Sequence, residues 1–230
     1  MMMLRRSGER GQTKLDWLDS RHTFSFGDYF DDRYMGFRHL RVINEDRVSP
    51  AKGFGTHSHR DMEIITYVLD GAVEHKDSTG NQTVIKAGDV QRMTAGTGIS
   101  HSEYNPSQTE VVHFLQIWIV PNRRGLLPGY EQRSFQFERG NWTLLAAGTG
   151  HHGAISLHQD VELFIASLPE RQQISYAIKS GRHLWLQATR GAVDVNGTAF
   201  EAGDGAAVSD ESIVEIVGRH GGEILLFDLA

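Results

Sequence analysis

Two short wordings recur along this chain at nearly constant spacing. "GAVEH" from Gly71 and "AGDV" from Ala87 return as "GAVDV" from Gly191 and "AGDG" from Ala202, offsets of 120 and 115 residues. Each pairs a glycine turn with strand formers, so the recurrence predicts a duplicated β-domain rather than one large sheet. Around the first copy, "MEIITYVLDGAVEH", "QTVIKAGDVQRMTAG" and "VVHFLQIWIVP" are three strand-like runs separated by Gly, Asp and Asn turn signals, the pattern of antiparallel hairpins in a sandwich or barrel. The 25 glycines and the β-branched and aromatic runs point the same way, to an all-β chain. The aromatic-rich stretch up to Pro50 shows no helical period and is expected to form short strands wrapped over a core. Pro121 closes the first block. The segment "NRRGLLPGYEQRSF" gathers Gly, Pro and charge, which sets the expected domains at 1–125 and 126–230.

Composition removes several function classes. With no cysteine, a metal has only His, Asp or Glu to hold it. A net charge of -6 supplies no basic field for a phosphate backbone, so direct nucleic-acid binding is not expected. No apolar run approaches the ~20 residues of a membrane span, and "MMMLRRSGER" lacks the apolar core of a secretory signal. The expected address is cytoplasmic.

The recurrence also says which half carries chemistry. By the two offsets, His57 and His59 project onto Ala177 and Lys179, and His101 and Glu103 onto Ile216 and Gly218. None of the four keeps its polar group in a comparable role. On an extended strand, side chains two apart share a face, so "HSH" at His57 and "HSE" at His101 can converge from two strands. Three imidazoles and a carboxylate suit a divalent first-row ion and would leave two octahedral positions open. Either pair alone is close to what chance supplies; order and context add weight, since a hairpin separates them and "GTGISHSEYN" follows it.

His-x-His with Gly71 after the next strand, and Gly98-x-x-His101-x-x-x-Asn105, match the two signature motifs of the cupin family. The resemblance narrows further. "HTFSFGDYF", "MGFRHLRVINEDRV", "HSHRDMEIITYVLDGAVEHKDS", "AGDVQRMTAGTGISHSEYN" and "QIWIVP" are similar to the pirin family, including its bacterial quercetin 2,3-dioxygenases, strongly over residues 15–121 and weakly beyond. The resemblance implies a bicupin of two antiparallel β-barrels with metal only in the first. It places His57, His59, His101 and Glu103 at the metal-ligand positions and makes Glu103 a catalytic base. It implies one divalent ion, Fe(II) first, with Mn, Co, Ni, Cu or Zn compatible, and oxygen-dependent cleavage of a flavonol such as quercetin to a depside and carbon monoxide. Two alternatives accompany it: a metal-dependent module binding a protein partner, as in eukaryotic pirins, and a metalloenzyme for another enolic or phenolic molecule. A monomer is expected.

The chain departs from the general cupin pattern in two places. Cupins usually draw the carboxylate from the first motif, where Glu63 stands, and continued alternation from His57 keeps Glu63 on the ligand face as a rival or as a partner of an imidazole. Thr94 stands near the place of the second motif's usual proline, with two extra residues intervening. Arg60 reads as a surface contact before an anion ligand. His75 and His113 are read as structural, and adjacent His151 and His152 as a solvated loop. Phe24, Phe26, Tyr29 and Phe30 are read as core, with Phe54 and Met93 the better candidates for lining a pocket.

Overall fold

The computed structural model describes residues 1–230. Strands run almost throughout, as the turn-punctuated pattern predicts. They are β1 (Met2–Arg5), β2 (Gly11–Lys14), β3 (Leu18–His22), β4 (Leu40–Val48), β5 (Gly53–His59), β6 (Glu63–Asp70), β7 (Ala72–Asp77), β8 (Gln82–Lys86), β9 (Asp89–Thr94) and β10 (Ile99–Tyr104). They continue with β11 (Val112–Ile119), β12 (Gly129–Ser134), β13 (Thr143–Ala147), β14 (Ile155–Ser156), β15 (Val161–Leu168), β16 (Gln173–Ala177), β17 (His183–Val195), β18 (Thr198–Glu201), β19 (Gly205–Val208) and β20 (Ile213–Leu229). No helix is long and apolar enough to cross a membrane.

The chain separates into two compact units, Gly11–Phe135 and a second made of Met1–Arg10 with Gln136–Ala230. This differs from the expected division at 125/126 at both ends. Strand β12 pairs along β9 from Gly129↔Thr94 to Ser134↔Asp89, which keeps it in the first unit. Strand β1 leaves that unit, because Met2–Arg5 pair with Val208–Gly205 of β19.

The first unit has two antiparallel sheets, one in the order β12-β9-β6-β11-β4-β3-β2 and one in the order β5-β10-β7-β8. Alternation is plain in β10, "ISHSEY", where Ile99, His101 and Glu103 are buried while Ser100 and Ser102 are half-buried. The register between β10 and β5 slips: His101 faces His57, but Glu103 faces Phe54, so β5 carries a bulge. The extra residue resets the parity of β5 and turns Phe54 inward beside Glu103. Across the larger sheet, facing residues Gln91, Thr66, Gln116, Asn44 and His22 form a buried polar row through what would otherwise be apolar core.

The second unit is one nine-stranded sheet along β1-β19-β17-β20-β15-β13-β14, with β16 on β20 and β18 on β17. Its core gathers Leu184, Leu186, Phe200, Val208, Ile216 and Leu226. The repeated wordings occupy like places. Gly71 and Gly191 both take positive φ, 78° and 58°, the first between β6 and β7 and the second at a register shift inside β17, and Gly88 and Gly203, at 88° and 89°, each stand just before the next strand. Where β5 and β10 carry polar groups, β16 and β20 present Ile174, Tyr176, Val214 and Ile216 to an apolar core.

Candidate metal centre

Strands β5, β10 and β7 lie side by side, and their inward faces assemble the polar cluster. Register sets His57 opposite His101 and His59 opposite Ile99 across β5 and β10, then His101 opposite Asp77 and Glu103 opposite His75 across β10 and β7. One ligand atom from each of His57, His59 and His101 lies within 4.8 Å of the others, and the same holds for His75, His101 and Glu103. The ring centroids of His57 and His101 are 4.4 Å apart, and those of His59 and His101 are 4.9 Å apart. The three sequence-derived histidines therefore form one group, Glu103 falls in a second with His75, and His101 is common to both.

Electrostatics favour bare imidazoles. Burial first, then the neighbouring His57, pushes His59 down to about 4. Burial, with His57, His59 and His75 adding repulsion, pushes His101 down to about 2. Both rings are neutral near pH 7 and offer lone pairs. His57 donates from Nδ1 to the Gly55 carbonyl at 2.8 Å, which leaves Nε2 as its free lone pair. Glu103 is pushed up to about 7 by burial and by Asp46, against hydrogen bonds from Thr66 and Gln116.

The donor set fits a divalent ion. Both ring nitrogens of His101 are buried and have no hydrogen-bond partner. A buried imidazole left in that state costs free energy, and an ion on one nitrogen is the partner the surrounding histidines are arranged to share.

The cluster opens into a cavity of about 280 Å³ whose walls include His57, His59, Glu103, Phe26, Phe54 and Trp118. Trp118 meets His59 edge-on at 4.9 Å and Phe26 at 5.3 Å. Ser20, His22, Asn44 and Asp46 supply a polar wall. There Thr13 bonds His22 Nε2 at 2.9 Å, and His22 Nδ1 bonds Asn44 at 2.8 Å.

The remaining sequence readings divide. Phe54 lines the cavity, whereas Met93 is fully buried against Ile64, Ala95 and Ile99. Phe24 is core, but Phe26 is cavity wall and Phe30 is 72% exposed. Arg60 donates to the Thr97 carbonyl at an exposed position, an ordinary surface contact. His113 bonds Glu45 at 2.9 Å, apart from both groups. His151 and His152 form a short exposed turn in the second unit. Glu63 is buried but joins neither group, because β5 ends at His59 and Asp61 takes φ 49° before β6 begins. That break ends the alternation that would have kept Glu63 on the ligand face.

Sequence reasoning missed His75, which is fully buried and whose Nε2 lies 3.0 Å from Asp77 Oδ2. The signal was a His-x-Asp at the end of the strand following Gly71, equivalent in spacing to the other two pairs.

Comparison with known proteins decides the family. The family model described as Pirin matches residues 3–119, and one described as a quercetinase C-terminal cupin domain matches residues 144–229. The chain belongs to the pirin family. A pirin-family relative from Escherichia coli K12, named quercetin 2,3-dioxygenase, is 48% identical over 229 residues, spanning all of this chain and 99% of the relative. A pirin-like protein of Caulobacter vibrioides is 39% identical over 217 residues, 93% of each chain. Among solved structures, YhhW from Escherichia coli matches this pirin with a TM-score of 0.97 and 47% identity, covering 100% of this chain and 98% of that one. The bacterial pirin YhhW in complex with nickel(II) matches with a TM-score of 0.96 and 47% identity, covering 100% and 99%. The all-β expectation of two cupin domains in one chain is met.

Proposed function

We propose that this pirin is a metal-dependent dioxygenase that cleaves a flavonol such as quercetin with O2, giving a depside and carbon monoxide. One observation carries the reading: His57, His59 and Glu103 form part of the wall of a cavity sized for one small molecule. At about 280 Å³ it lies at the lower edge of the ~300–1,000 Å³ range of small-molecule sites. The relatives named quercetin 2,3-dioxygenase support the same class of substrate.

His57, His59, His101 and Glu103 would hold one divalent ion, Fe(II), Ni(II) or a neighbour of these. When bound, the ion supplies Lewis acidity that lowers the pKa of a substrate hydroxyl. Phe26, Phe54 and Trp118 bind the flat rings and exclude water from them. Glu103 accepts the proton of the flavonol 3-hydroxyl. In the metal-free chain burial and the neighbouring Asp46 raise its affinity for a proton, the direction a general base needs. Thr66 and Gln116 hold the carboxylate in place while it does so. A cavity with this lining favours a small-molecule enzyme over a module that only docks a protein.

The test is oxygen uptake with quercetin by protein stripped of metal and reloaded anaerobically with iron(II), manganese, cobalt, nickel or copper. Turnover with one or two ions, abolished in His101→Ala, is the expected result. Stoichiometric metal without oxygen consumption would move the reading to another substrate or to a binding role.

A further inference from the structure

Asp77 is a buried carboxylate held by many donors. Its Oδ1 accepts from the Thr79 amide at 2.9 Å, the Thr79 hydroxyl at 2.7 Å, the Asn81 amide at 3.2 Å and Asn81 Nδ2 at 3.3 Å. Its Oδ2 receives Asn81 Nδ2 and lies 3.0 Å from His75 Nε2. A carboxylate so fully supplied with donors can only accept, so it fixes the proton of His75 on Nε2. Nδ1 of His75 is then a bare lone pair, and it is buried with no hydrogen-bond partner. The nearest ring on the cluster side is His101, with centroids 5.3 Å apart and planes tilted by 43°. His101 also has both nitrogens buried and without a partner. If a metal takes one of them, the other must carry a proton and needs an acceptor.

We infer that His75 and Asp77 are positioning residues for the metal centre: Asp77 sets the tautomer of His75, and once a metal seats the His101 ring, His75 Nδ1 accepts its N–H. The arrangement orders a carboxylate and two imidazoles in a line that ends at the metal. It fixes the plane of the His101 ring and raises the basicity of its ligating nitrogen. The inference rests on the reading of His101 as a ligand. It gives His75 a task that neither metal binding nor packing alone requires.

The substitution Asp77→Asn isolates this role. Four donors already surround the Oδ1 position, so the asparagine keeps its carbonyl there and turns its NH2 toward His75. The NH2 donates to Nε2, the His75 proton moves to Nδ1, and a donor then faces the donor of His101. The experiment titrates full-length wild type, Asp77→Asn, His75→Leu, His75→Gln and His101→Ala with cobalt(II) against a chromophoric chelator. The visible cobalt absorption and the apo-protein melting temperature are recorded alongside. Expected are a 10–100-fold weaker Kd and a shifted cobalt band in Asp77→Asn and His75→Leu, with partial recovery in His75→Gln, whose amide oxygen can accept from His101. A folded Asp77→Asn protein with the wild-type Kd and cobalt band overturns the inference, whatever His75→Leu does to folding. If His101→Ala leaves the wild-type cobalt signal unchanged, the ligand assignment itself fails and the inference falls with it.

Discussion

Gln116 Nε2 donates to Glu103 Oε2, joining the middle of the seven-stranded sheet to the proposed base on the four-stranded one. Thr66 donates to the other carboxylate oxygen at 3.3 Å, from the strand next to that of Gln116. These two bonds fix where the carboxylate sits relative to the cavity. Replacing Glu103 by Gln is expected to lower kcat by about 10²–10⁴-fold while some metal is retained. Gln116→Leu, which leaves the base but frees it, is expected to cost about tenfold. Oxygen-uptake kinetics on metal-reloaded proteins distinguishes them, and a fully active Glu103→Gln protein would rule out the base role.

The cavity wall offers a separate test of substrate class. Phe26 and Trp118 meet edge to face and contribute no proton chemistry. Phe26→Ala is expected to raise KM for a flavonol by up to about tenfold with kcat nearly unchanged, since one aromatic contact is worth roughly 0.5–1.5 kcal/mol. A substrate panel run on this variant should show the largest loss for the flattest molecules.

Asp46, in the polar wall, carries a pH dependence of its own. Burial, reinforced by Glu45 and opposed by a hydrogen bond from Ser20, raises its carboxyl from 3.8 to about 7. The folded apo-protein thus binds this proton more tightly than the unfolded chain does. The stabilising contribution is complete below about pH 4 and is lost as pH rises toward 7. Asp46→Asn removes the loss. Between pH 4 and 7 the variant apo-protein should gain roughly 1–4 kcal/mol on the wild type, read from urea melts at fixed ionic strength.

The paired glycines of the repeat should tolerate a methyl group unequally. A Cβ on Gly71 would meet Val112 Cα at 3.2 Å, whereas one on Gly191 would sit 1.8 Å from the Gly221 carbonyl oxygen. Both substitutions carry the cost of a positive φ, about 1–3 kcal/mol. Gly191→Ala must in addition push apart two backbone segments, so its urea midpoint should fall clearly below that of Gly71→Ala.

What the sequence made legible and what it hid follow one physical division. Side chains two apart on a strand share a face, so His57 with His59 and His101 with Glu103 can be grouped without coordinates. Which strand lies beside which is a long-range matter. The neighbour of β10 on its far side is β7, and only that pairing brings His75 and Asp77 to the cluster. Glu63 misleads for a related reason: its parity relative to His57 is correct, but a positive-φ turn at Asp61 ends the strand and the count with it. Phe54 shows the converse, since the bulge in β5 reverses the parity that simple alternation assigns. The expected domain boundary differs from the observed one because a four-residue strand at Met2–Arg5 says nothing about its distant partner.

That partner has a consequence during synthesis. Arg5 pairs with Gly205, and 200 residues separate them in the chain. At ~5–20 residues per second, a ribosome needs roughly 10–40 s to deliver the second strand after the first. Residues 11–135 contain both sheets of the metal-centre unit and can pair among themselves long before then. Strand β1 therefore waits through the synthesis of residues 11–135 before its partner exists, and its edge stays unpaired in the meantime.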